Sequence, residues 1–234
     1  MLMDKYFYFP SVGLPTGMGL DLPLSSSTTS SPSISLWDDF VSGSITVGQA
    51  YISATTTTTL AVAAVTTSEP GGAITITGSA AAGNAGIRTA VPMRISSGKA
   101  FVYTARLKSA TITDGIYVGM EAGNANPFTS TNCKGAFFYI NAADIRYGVL
   151  GSAGGALGTG TTISSGQSLV ANTYVDLSIC WTGSEACFFV NGVLVGKVTT
   201  ASPVGCDLYP VLGTQYIAAA KTITVDYHGF QLQR

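Results

Sequence analysis

Between Thr173 and Thr199 the sequence dictates two tight hairpins in succession, and no other stretch constrains the fold as strongly. Tyr174–Trp181 runs into Gly183-Ser184, Ala186–Val190 follows, and Asn191-Gly192 leads into Val193–Val198. Both dipeptides supply the positive φ that two-residue hairpin loops demand, Asn-Gly most strongly. A two-residue loop at Gly183-Ser184 sets Cys180 opposite Cys187 across the ladder. Cross-strand neighbours lie close enough to interact, but that pair is a hydrogen-bonded one, poorly shaped for a disulfide. Two reduced, core-facing thiols are expected.

The same grammar runs from Ile34 to the end. Ala73–Gly78 alternates apolar and hydroxyl residues at period two, as a half-buried strand does, and Ala100–Leu107 repeats the pattern. Ile116–Glu121 and Ala136–Asn141 are two more strands, punctuated by Gly115 and Gly135. Ala61–Val65 and Ala80–Ala82 are helix-prone, but Thr runs and glycines flank them, and Thr55–Thr59 is β-branched throughout. The class is all-β. In the last strand, Thr222–Leu232, Ile223, Val225 and Tyr227 share one face, whereas Phe230 and Leu232 fall out of phase. Gly229 at the slip reads as a β-bulge. Gly151–Gly160 reads as a flexible loop, since no Lys or Arg follows it to hold a phosphate and no helix opens from it.

At 234 residues the chain is long enough for a single sandwich with a sizeable core. Charged residues make up 10% and the net charge is −1. Such a surface has no basic footprint for phosphate backbones, so nucleic acid is excluded as a partner. Between Phe40 and Ile87 the one acidic or basic side chain is Glu69. That stretch is either a neutral, hydroxyl-covered surface or a face covered by other subunits. No apolar run reaches the about 18 residues of a membrane span. Met1–Leu24 lacks the apolar core of a signal peptide, so synthesis in a reducing cytoplasm with four free thiols is expected. Spacings of 47, 7 and 19 residues between Cys133, Cys180, Cys187 and Cys206 fit no zinc motif.

Residues 1–35 differ from the rest and are assigned as an extended arm, with the sandwich at 36–234. Tyr6, Phe7, Tyr8 and Phe9 form an aromatic cluster, and the Ser/Thr run from Ser25 to Pro32 has linker composition. Exposed aromatics seek burial. The cluster either docks on its own sandwich or binds a neighbouring protein, and these four residues are the candidate partner-binding site.

Three features resemble the concanavalin A-like jelly roll in its laminarinase and laminin-G-like branch. They are an opening Leu36-Trp37-Asp38-Asp39-Phe40 strand, the Trp181 strand with its hairpin into Val190-Asn191-Gly192-Val193-Leu194-Val195-Gly196, and a closing Thr224-Val225-Asp226-Tyr227 strand. The resemblance covers residues 36–234 and implies an antiparallel jelly-roll β-sandwich whose opening and closing strands pair. The hydrolases of that branch carry a Glu-x-Asp-x-(x)-Glu strand, whose two glutamates stand about 5–5.5 Å apart across the scissile bond. Here Glu121 stands alone and Glu185 sits in a hairpin turn, so no catalytic residue is assigned. His228, the one histidine, reads as structural and not as part of a Ser–His–Asp set. Some relatives hold a structural calcium at an aspartate like Asp226, with Asp38 or Asp39 able to assist. Surface aspartates are the simpler reading, and no metal or other cofactor is assigned.

The resemblance leaves two function classes. One is a non-enzymatic virion component, a phage capsid decoration or cement protein bound to the major capsid protein or other virion subunits. It would be homo-oligomeric, with a trimer favoured, and without membrane contact. The other is a lectin-like carbohydrate-binding module or a receptor-binding fibre or tail component. Sugar stacking would then fall to exposed rings among Tyr103, Tyr117, Tyr139, Tyr147 and Trp181.

Overall fold

The computed structural model describes residues 33–38, 40, 51–53, 60–64, 72–78, 83–112, 115–122, 133–155, 161–216 and 221–233. Among them there are strands and no helix: β1 (Ser33–Asp38), β2 (Tyr51–Ser53), β3 (Leu60–Ala64), β4 (Ile74–Gly78), β5 (Gly83–Thr89), β6 (Met93–Arg94), β7 (Phe101–Ser109) and β8 (Ile116–Glu121). The series continues with β9 (Cys133–Asn141), β10 (Asp144–Gly155), β11 (Ile163–Ser168), β12 (Val175–Trp181), β13 (Ala186–Val190), β14 (Val193–Val198), β15 (Asp207–Tyr216) and β16 (Lys221–Gln233).

They form two eight-stranded antiparallel sheets. The first runs β14-β13-β12-β7-β16-β4-β3, with β1 also paired to β16; the second runs β11-β10-β9-β8-β15-β5-β2, with β6 paired to β15. Period-two patterning decides which side chains meet between them. On β7 every second residue from Phe101 to Ser109 is buried, and Ile74, Ile76 and Gly78 repeat this on β4. Phe101, Tyr103, Ala105 and Leu107 join Ile179 and Trp181 of β12, and Val118, Met120 and Phe138 of the opposite sheet, in one central core. Phe138 meets Phe188 edge-on at 5.4 Å between ring centroids, and Tyr147 lies 4.9 Å from the same ring.

The two expected hairpins are present. Thr182 N–H donates to Glu185 at 3.0 Å across Gly183-Ser184, with Gly183 at φ +100°. Asn191 and Gly192 both take positive φ, the two-residue mirror turn that suits twisted strands. Cys180 does face Cys187, and both thiols are free and buried. Their direction differs from expectation, however. Ile179 and Trp181 take the core side of β12, so Cys180, Cys187 and Phe189 make a separate cluster on the outer face of the first sheet, against Val102.

Three further expectations shift. The slip in β16 lies between Val225 and Tyr227, not at Gly229. Tyr227 therefore points outward to donate to Asp176 at 2.7 Å, and His228 turns into the core. The opening and closing strands pair, but through Ser33–Asp38 against His228–Gln233, so Leu36 lies opposite Phe230. Gly151–Gly155, read as loop, prolongs β10, with Gly155 opposite Cys133.

Candidate functional site

The outer face of the second sheet is the candidate site. On β8, Ile116, Val118 and Met120 enter the central core, so Tyr117, Gly119 and Glu121 face outward. Strand register places their neighbours. Tyr117 lies between Gly213 and Tyr139, Gly119 between Val211 and Phe137, and Glu121 between Tyr209 and Gly135. Arg88 of β5 stands beside Val211, and Arg146 of β10 beside Tyr139.

Small residues let the aromatics lie down. A Cβ at Gly86 or Gly213 would run into the Tyr117 side chain, so that ring reaches across β15 towards β5. Tyr117, Phe137 and Val211 are fully buried, and Tyr139 and Leu150 nearly so. This is a covered aromatic layer, not an open stacking platform. The other rings considered for sugar stacking, Tyr103, Tyr147 and Trp181, belong to the central core. Tyr103 donates to the Val211 carbonyl at 3.4 Å, and burial holds its hydroxyl far above the ordinary tyrosine pKa.

The two arginines of this face differ in kind. Arg146 donates to Asp144 Oδ2 at 2.8 Å, to Thr162 Oγ1 at 3.0 Å and to the Thr162 carbonyl at 2.6 Å. Its charge is spent inside the protein. Burial raises the Tyr139 pKa and the Arg146 charge partly opposes it. Arg88 stacks over the Tyr209 ring at 4.5 Å, while its Nε and Nη1 are buried without a hydrogen-bond partner. Buried donors of this kind call for an acceptor. Arg88 was not legible as a site residue, because an arginine on an outward strand position is ordinary until its partners are known.

Glu121 is 1% exposed. The outward positions two and four residues before it are Gly119 and Tyr117, where a same-strand carboxylate pair would need a second acid. Asp207, two residues from Tyr209 on the adjacent strand, is more than half exposed and engages Arg94 at 3.6 Å. Among the described residues, no group of three His, Cys, Asp or Glu side chains is arranged to hold a metal.

The first sheet's outer face is occupied by its own contacts. Arg106 reaches Asp226 at 3.2 Å and Asp176 at 3.9 Å, and Arg106 and Lys108 both lie over the Tyr174 ring. The Asp226 carboxyl, the residue weighed for calcium, thus already has a cation. His228 is buried between Phe40, stacked at 5.9 Å, and the edge of Tyr103. Burial lowers its pKa to about 4, as befits a neutral core histidine. Tyr6, Phe7, Tyr8 and Phe9, the arm residues assigned to partner binding, lie outside the described residues, as does Asp39.

No family model matches the sequence, and no curated protein does. Solved structures do. The carbohydrate recognition domain of Emp47p superposes with a TM-score of 0.61 at 11% identity, over 84% of this chain and 93% of that one. A prokaryotic β-1,3-1,4-glucanase (lichenase) from a mouse hindgut metagenome gives 0.57 at 13% identity, over 84% and 98%. The fold is a concanavalin A-like jelly roll. A carbohydrate esterase from Shiga toxin-encoding bacteriophage phi24B shares it at a TM-score of 0.53 and 13% identity, over 79% of this chain and 90% of that one. On β8 the one glutamate, Glu121, is buried.

Proposed function

We propose that this jelly roll is a non-enzymatic structural subunit of a virion, a decoration or cement protein that binds the capsid shell and stabilises it. The observation that supports the reading is that, among the described residues, neither outer face presents a carboxylate pair or an open aromatic platform. On one, Glu121 is buried, its same-face strand neighbours are Gly119 and Tyr117, and the aromatic layer is covered. On the other, Arg106 pairs with Asp226 and Asp176, and Tyr227 donates to Asp176. A sandwich of this kind, with an aromatic arm at its start, suits attachment to a larger assembly. Retaining glycoside hydrolysis needs two carboxylates within about 5–5.5 Å of each other, open to substrate. Glu121 has neither a second acid on its strand face nor the access. The test is attachment. The chain is expected to co-sediment with undecorated capsids of the virus that encodes it and to raise the temperature at which they rupture.

Arg88 favours a second reading, a carbohydrate-binding module. Its two unpartnered donors beside Tyr209 suit an acidic sugar, since a guanidinium pairs a carboxylate with two parallel bonds. The carbohydrate recognition domain and the phage esterase among the structural neighbours support this reading through the shared fold. On an array of neutral and acidic glycans, the virion reading expects no signal above background. A signal for uronic or sialic acid glycans that Arg88→Ala abolishes would replace the first reading with the second.

A further inference from the structure

We draw no further inference here: the strongest candidate, the Arg88 guanidinium over Tyr209 on the outer face of the second sheet, with its Nε and Nη1 buried and unpartnered, belongs to the site already described as the carbohydrate-binding candidate.

Discussion

His228 shows what burial does to one titratable residue. It sits in the core against Phe40 and Tyr103, and desolvation lowers its pKa from 6.5 to about 4. The unfolded chain therefore binds a proton between those values that the folded chain refuses. Stability is full above pH 6.5 and falls as pH drops towards 4, by about 2 kcal/mol between pH 7 and pH 5. Urea unfolding of the wild type and of His228→Phe at both pH values measures it. The variant should lose less stability on acidification, and equal losses would contradict the account. The two outer-face thiols tell a related story. Burial, aided by Cys187 and Glu185, pushes the Cys180 thiol up to about 12, so both cysteines stay protonated and inert. The sequence placed them opposite each other correctly and on the wrong side. Pairing follows from turn length alone, whereas facing depends on which of two alternating sets, Cys180 or Ile179 and Trp181, the opposite sheet buries.

At the scale of elements, legibility follows turn chemistry. Asn191-Gly192 and Gly183-Ser184 announced their hairpins because those residues take positive φ at little cost. The hairpin between β9 and β10 gave no such signal, since its loop is Ala142-Ala143, at φ +49° and +69°. Each alanine there costs about 1–2 kcal/mol. The turn survives because Ala143 N–H donates to Ile112 and the Ala143 carbonyl accepts from Leu169, both at 2.8 Å. The double substitution Ala142→Asn with Ala143→Gly should relieve strain and raise stability by about 1 kcal/mol, read as a higher urea midpoint with unchanged slope. An unchanged or lower midpoint would show that the turn is not strained. The bulge in β16 was placed at Gly229 for the complementary reason: glycine is the usual marker of a slip, yet here the extra residue falls at Asp226, where Arg106 fixes the carboxyl. Long-range ion pairs of that kind leave no local trace in a sequence.

Across the whole molecule, the sandwich was readable and its surfaces were not. Period two and turn dipeptides fix strands, and two sheets with one apolar face each have few ways to pack. The layer of Tyr117, Phe137 and Tyr139 instead arises from glycines on neighbouring strands, a cross-strand coincidence invisible along the chain. Under the proposed virion role, contact with neighbouring proteins falls to the arm. A Ser/Thr linker of about ten residues spans about 15–20 Å as a random coil, enough for Tyr6–Phe9 to reach a neighbouring protein. The direct test is co-sedimentation of the full chain and of residues 31–234 with undecorated capsids of the encoding virus. Both chains are expected to fold to the same β-rich circular dichroism spectrum, the full chain to pellet with capsids, and the truncated chain to stay in solution. A full chain that remains in solution would contradict the structural role, and a truncated chain that unfolds would make the arm part of its own core.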